Sequence, residues 1–399
     1  ATAAVKVAPP LPTVLAPLAE QLAAGDEPAP IVTKFLTGKR LPLVDGETVT
    51  FVYRGRGDDL AVAGDMIGMR REEPMHRLGS SDLWWWTTTI DRRARISYTF
   101  LVDNEPQPDP SHTRRVASTV LGPDLNWQRG AGLGMSWFAM PDWPGNQPAA
   151  TPARGRLEKF EVPVPKPGSA AGETLSTQLS AWLPPGYDGG SARYPVLYVL
   201  DRNALEHGDW RDHLDRVVGR TVAPLIVVFV EAPQMRDFDQ AFVSTVVPAV
   251  ENRLRLASGR TAKGVVGMGF GGHGALMLVL EHPELFGAVG IQSYYGLEST
   301  QTEVEAALAK AQPAELPLHF YLEWGRWDLR SPHEEMDMRA SSVWLAEKLR
   351  AQGYAPLGGE VLDTTDFASW RNRTDVVLES LFPAAGTVPT GFAAWAASP

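Results

Sequence analysis

From Tyr194 to Leu381, short apolar runs alternate with helical patterns, and this alternation constrains the fold more than any other feature of the chain. Tyr194–Leu200, Pro224–Val230, Lys263–Gly267 and Ala288–Ile291 are apolar on both faces. Helical patterns at Asp209–Val218, Asp239–Ala257 and Gly271–Glu281 separate them. Strands that must be covered on both sides, joined through helices, predict a parallel sheet with right-handed crossovers. The pattern continues through helix Thr302–Ala311, strand Leu318–Trp324, helix His333–Gln352, strand Gly359–Leu362 and helix Ser369–Leu381. Leu157–Val162 and Ser176–Leu183 alternate and read as a leading antiparallel pair. The expected fold class is α/β, a doubly wound, mostly parallel sheet of about eight strands.

The first part of the chain follows different rules. Between Glu47 and Leu121, Thr48–Tyr53, Leu60–Ala63, Leu83–Ile90 and Ile96–Val102 are short alternating runs split by Gly, Asp and Asn. That spacing predicts a small β-sandwich. Trp84, Trp85 and Trp86 stand in a row in one of these runs, and at least two of them are expected in the core. Ala1–Pro30 is rich in Ala and Pro and reads as a tether with one short helix around Pro17–Ala24; Asn126–Pro148 reads as an irregular connection. The expected division is a tether over 1–30, a β-sandwich over 31–145, an α/β domain over 150–383 and a tail over 384–399.

Composition removes whole classes of function. The chain has 0 cysteines, which excludes disulfides, thiolate metal sites and Cys nucleophiles. A net charge of −10 without a long basic run argues against a nucleic-acid partner. Apolar stretches such as Leu225–Val230 are far shorter than the roughly 20 residues a membrane span needs. No His or carboxylate pair has metal spacing, since His333-Glu334-Glu335 lacks a second His at helical distance. No metal and no cofactor are expected. The start at Ala1, with the Ala/Pro-rich segment behind it, favours an exported over a cytoplasmic location. The sequence leaves the oligomeric state open.

The sharpest motif is Gly267-Met268-Gly269-Phe270-Gly271-Gly272-His273-Gly274. It follows a strand and opens a helix, the context of the nucleophile elbow Gly-x-Ser-x-Gly. The glycines permit a tight turn that aims the central residue at the crevice above the strand ends. Here the central residue is Gly269, which has no side chain to attack with.

Gly267–Leu276 resembles the elbow of the esterase D type. The chain from Glu47 to Pro383 resembles the enterochelin esterases, which join an N-terminal immunoglobulin-like β-domain to an α/β-hydrolase domain. The motifs that carry this are Gly64-Asp65, Met75-His76-Arg77-Leu78, Asp82-Leu83-Trp84 and Asp109-Pro110 in the first half. In the second they are Leu183-Pro184-Pro185-Gly186-Tyr187, Tyr194-Pro195-Val196-Leu197-Tyr198, Leu322-Glu323-Trp324-Gly325-Arg326 and Asp366-Phe367-Ala368-Ser369-Trp370-Arg371. The resemblance implies a triad in the chain order Ser, acid, His. It puts the nucleophile slot at Gly269, the acid slot at Asp328 and the His slot at Thr365. Ser293 matches a serine that is structural in the family.

A threonine cannot accept the hydroxyl proton near neutral pH, and loss of either triad member costs about 10⁶ in turnover. The expectation is a catalytically silent, ligand- or partner-binding protein. Two losses at once suit natural degeneration better than a single engineered change. The alternatives are an active serine ester hydrolase whose site has been altered, and a carbohydrate-associated binding protein. The family's ligand, a ferric tris-catecholate siderophore, implies a bulky aromatic anion. A site for it wants Arg and aromatics at the carboxyl ends of strands, and the chain offers Arg202 (where the family usually has Gly), Arg236, Arg326, Trp327, Trp370 and Arg371. His273 is expected to pack beneath the elbow, and His207 and His213 to sit on a surface helix.

Overall fold

The computed structural model describes residues 9–25, 27–68, 71–112, 114–116, 135–145, 154–166, 173–231, 238–311, 313–331 and 336–397. The chain divides into two units, Ala1–Pro144 and Gly145–Pro399. Among the described residues no helix is long and apolar enough to cross a membrane.

The first unit is built on two antiparallel sheets. One carries Thr48–Arg54 paired with Leu83–Thr89, and the other Leu60–Gly64, Arg95–Val102 and Met135–Ala139. Side chains of a strand alternate between its faces, so the three tryptophans divide. Phe51 and Trp86 face each other across the strands, with ring centroids 5.6 Å apart, and Phe51 meets Tyr98 and Phe138 of the second sheet. Trp85 points the other way and is buried among Leu15, Leu18, Val32, Val52 and Leu83. Trp84 and Trp86 are half-buried, so one tryptophan of the row is fully enclosed where two were expected.

Of the residues that enclose Trp85, Leu15 and Leu18 come from the expected tether. Its helix is present as Ala16–Ala23, and a second, unexpected one runs over Pro28–Leu36. Residues Thr13–Leu36 thus cover a sheet face. Within the expected irregular connection Asn126–Pro148, residues Met135–Ala139 form a strand; 126–134 and 146–148 lie outside the described residues.

In the second unit eight strands form one sheet. Their order across it is Arg156–Pro165, Thr174–Leu183, Ile226–Val230, Val196–Val199, Lys263–Met268, Ala288–Gln292, His319–Trp327 and Leu357–Thr364. The first two are antiparallel, and those from Ile226–Val230 onward run parallel. The central strands are buried along their length save for Lys263 at the start of one, as their two-faced apolar runs require. The C-terminal segment docks on this sheet: Ala396 bridges Val361, and Phe392 packs edge-on against Tyr321.

Truncating a large buried aromatic side chain costs about 3–5 kcal/mol. Trp85→Ala is therefore expected to lower the stability of the first unit by that amount, read as an earlier urea transition. A variant that unfolds with the parent would mean that the two helices do not depend on Trp85.

Candidate active site

The strand Lys263–Met268 turns sharply into the helix Phe270–Glu281 at Gly269, which has φ 53° and ψ −120°. Its N–H donates to the Gln292 carbonyl at 2.9 Å. A Cβ on Gly267 would lie 2.0 Å from the Gly271 carbonyl oxygen, so only glycine permits the strand and helix to approach this closely. A Cβ on Gly269 would meet nothing nearer than Trp370 Cη2 at 3.7 Å and Met338 Cε at 3.9 Å. The backbone at 269 is thus an elbow with room for one small side chain.

Asp328 follows the strand His319–Trp327. A Cβ on Gly325 would come within 2.6 Å of Asp328 Oδ1, so glycine at 325 lets the carboxyl fold back over its own chain. Thr365 follows the neighbouring strand Leu357–Thr364. Its hydroxyl donates to Asp328 Oδ1 at 2.7 Å and accepts from the Leu329 N–H at 3.0 Å. Ser293, with φ 56°, ends the strand Ala288–Gln292, and its hydroxyl donates to the same Oδ1 at 3.0 Å. The indole N–H of Trp370 donates to Ser293 Oγ at 2.9 Å. Among the described residues Asp328 Oδ2 has no donor. Burial of the carboxyl pushes its pKa up to about 7, although the two hydroxyls and a backbone contact oppose the rise.

The structure therefore gathers Gly269, Asp328, Thr365, Ser293 and Trp370 at the carboxyl ends of neighbouring strands. Met338 fills the space between the first and third. Its methyl group lies against the Cβ position of Gly269, its sulfur is 4.0 Å from Thr365 Oγ1, and it is 1% exposed. Sequence reading passed over this methionine, because nothing in its spacing marks a contact made only in three dimensions.

It also passed over the charged layer beneath. Arg373, 1% exposed, donates to Glu323 Oε2 at 2.9 Å, to Asp363 Oδ2 at 3.4 Å and to Ser369 Oγ at 3.0 Å. Glu323 also accepts from the Gln292 side-chain amide at 2.8 Å and from the Tyr321 hydroxyl. Burial and the carboxylate beside it push the Tyr321 hydroxyl pKa well up.

The expected ligand residues fare differently. Arg326 is tied to Glu360 on the adjacent strand at 2.7 Å, and Arg339 holds the same carboxylate. Trp327 is half-buried at its strand end. Trp370 is 3% exposed and packs on the elbow and not into solvent. Arg371 lies 3.6 Å from Asp209. Arg202 opens the helix Arg202–His207, capped by Asp201, and its side chain lies outside the description, as does all of Arg236. His273 Nδ1 is 3.2 Å from the Tyr294 hydroxyl, and burial lowers its pKa. His213 is a correction. It is buried, not on a surface, because its helix packs on Thr374–Leu381; burial and the Arg216 charge lower its pKa to about 3. His207 is partly exposed, 6.0 Å from the Phe367 ring.

An eight-stranded sheet with a glycine elbow at its carboxyl edge defines an esterase domain of the α/β-hydrolase type. The esterase family model matches residues 175–352, and the model for the N-terminal domain of enterochelin esterase matches residues 48–147. Among curated proteins, the iron(III) enterobactin esterases of Escherichia coli O6:H1 (strain CFT073) and of strain K12 are 25% and 24% identical over 250 and 246 residues. Each match takes in 55% of this chain and 60% of the relative, so the chain spans about 60% of the length of these relatives. The ferric enterobactin esterase of Salmonella typhimurium shares the fold with a TM-score of 0.62 at 17% identity, over 84% of this chain and 93% of that one. A Shigella flexneri enterochelin esterase gives 0.61 at 18%, over 85% and 93%. The Shigella flexneri enzyme crystallised in the presence of enterobactin gives 0.60 at 19%, over 84% and 92%. Both matched segments are thus enterochelin esterase-like.

The buried carboxyl generates a pH test. Its pKa of about 7 exceeds the value of about 3.9 for an unfolded Asp. Ionisation therefore opposes folding: this contribution falls as pH rises from about 4 to 7 and is flat beyond. Asp328→Asn removes the titration. The stability of the variant relative to the parent should rise across that window and then level off, measured as melting temperature against pH. A constant difference would contradict the buried-carboxyl assignment.

Proposed function

We propose that this protein is an enterochelin esterase-like scaffold that does not hydrolyse esters and uses the crevice at Gly269 to hold a flat, anionic, siderophore-like ligand. The observation that carries this is the Thr365 hydroxyl on Asp328 Oδ1 at 2.7 Å, opposite a nucleophile slot occupied by glycine. Ester hydrolysis at such a site needs a hydroxyl to attack and an imidazole to take its proton. Gly269 supplies no hydroxyl, and Thr365 is no base near neutral pH. Ser293 does not replace the nucleophile, being 2% exposed and bonded to both Asp328 and Trp370.

Two observations support a retained ligand. Phe270, next to the elbow, is 61% exposed and packs against Tyr295 at a centroid distance of 3.8 Å, the rings tilted by 37°, an aromatic surface suited to a flat ring. A relative of the same fold has been crystallised in the presence of enterobactin. The carbohydrate-associated reading loses its supporting feature, since the Trp84–Trp86 row offers no exposed flat face.

Purified protein should hydrolyse para-nitrophenyl esters and enterobactin no faster than a protein blank, and a fluorophosphonate probe should leave it unlabelled. Stoichiometric labelling would show an activated hydroxyl and end this reading.

Restoration depends on Met338, whose side chain lies on the line an imidazole at 365 would use to reach a serine at 269. Gly269→Ser with Thr365→His should stay near background. Adding Met338→Ala should raise turnover at least about tenfold over that pair, because triad members act as a unit once they can meet. Equal turnover in the two would remove Met338 from the explanation.

A further inference from the structure

The helix that leaves the elbow, Phe270–Glu281, carries an aromatic notch on one face. Two consecutive tyrosines follow the left-handed turn at Ser293 and meet residues one helical turn apart. Tyr294 meets His273, its hydroxyl 3.2 Å from Nδ1, and Tyr295 meets Phe270, with ring centroids 3.8 Å apart. Positions 270, 273 and 274 share one face of the helix. The last of these is Gly274, and a Cβ there would meet no atom within 4 Å beyond its chain neighbours and its own helix backbone. A helical side chain leans toward the preceding turn and covers the surface there. With glycine at 274 that surface is bare, and the Phe270 ring beside it stays 61% exposed.

The notch has a polar end. His273 is half-buried, and its Nδ1 is engaged by the Tyr294 hydroxyl, while Nε2 has no hydrogen-bond partner among the described residues. Burial lowers the His273 pKa against the pull of Glu303 and Glu281, so the ring is neutral near pH 7. A neutral imidazole engaged at one nitrogen offers a single donor or acceptor at the other. The charges of Glu303 and Glu281 act on this ring and disfavour an anion beside it.

We infer that this notch binds a flat, uncharged aromatic ring bearing a hydroxyl group, with the ring against Phe270 over Gly274 and the hydroxyl toward His273 Nε2. The inference rests on the reading of the Gly269 crevice as a ligand site and adds to it a place for an uncharged ring one helical turn away.

The test is equilibrium dialysis of the full chain against naphthol, with naphthoate as the charged arm and decahydronaphthol as the non-planar arm. Naphthol should bind saturably, one per chain, with a dissociation constant below about 1 mM. Each of the other two should bind at least about fivefold more weakly, one for its charge and one for its lack of a flat face. Phe270→Ala should weaken naphthol binding by at least about fivefold, as expected for losing an aromatic face. Gly274→Leu should abolish it by covering the bare surface, and leucine is a better helix former than glycine, so this variant should melt no earlier than the parent. Phe270→Ala, at an exposed position, gives the reading if Gly274→Leu does melt early. No naphthol binding, equal affinity in parent and Phe270→Ala or in parent and a stably folded Gly274→Leu, or equal affinity for naphthol and decahydronaphthol would overturn the proposal. A parallel titration with enterobactin separates the two readings. Binding of enterobactin without naphthol would overturn the notch alone, and binding of neither would overturn the crevice reading with it.

Discussion

Arg373 carries its charge against two carboxylates, Glu323 and Asp363, on adjacent parallel strands, with all three side chains about as dry as the apolar core. Taking such ions out of water costs several kcal/mol each, and breaking a pair by removing one partner costs about 3–5 kcal/mol. Gln292, Tyr321 and Ser369 add hydrogen bonds around the three charges, and among the described residues only Gln292 Oε1 of this group is left without a donor. The network joins three neighbouring strands to the short helix Phe367–Trp370. The Gln292 amide also reaches the Trp370 carbonyl at 3.4 Å. The position of the Trp370 ring over the elbow, and with it the shape of the site, follows from this buried charge layer.

Above that layer the site is packed, not vacant. Thr365, Ser293, Met338 and Trp370 are each less than 8% exposed and fill the volume between the elbow and Asp328. Protein interiors tolerate few voids. Space beside a turn without a side chain is expected to close with whatever lies nearest, and here Met338, a pliable apolar side chain, lies against the Cβ position of Gly269. The chemical and steric states of the site are therefore coupled, and changing one residue type leaves the other obstacle standing.

Much of this was legible in the sequence. The parallel sheet was readable because its central strands are apolar on both faces, a pattern few other architectures require. The elbow was readable because three glycines are needed where strand meets helix. Helix Pro28–Leu36 escaped notice since Pro28 and Pro30 read as breakers, yet proline is tolerated in a first helical turn. Strand Met135–Ala139 was obscured by the Gly- and Trp-rich residues around it. His213 was taken for a surface residue because Arg211, Asp212, Asp215 and Arg216 surround it in sequence. The helix instead turns His213 and Asp215 inward. Arg326 stood close to Asp328 in sequence, but strand pairing delivers it to Glu360. Glu323, Asp363 and Arg373 left no signal, since isolated charges in strands and helices look like solvent-facing ones until their partners are placed.

The conformation of Gly269 sets the terms on which the elbow exists. A left-handed backbone holds no penalty for glycine, whereas any residue with a Cβ stores about 1–2 kcal/mol of strain there. An esterase with serine at this turn keeps that energy as part of the arrangement that exposes its nucleophile. The present chain holds the same turn in a relaxed state. A side chain at this position would therefore draw on the stability of the second unit, and reactivity and robustness pull this one position in opposite directions.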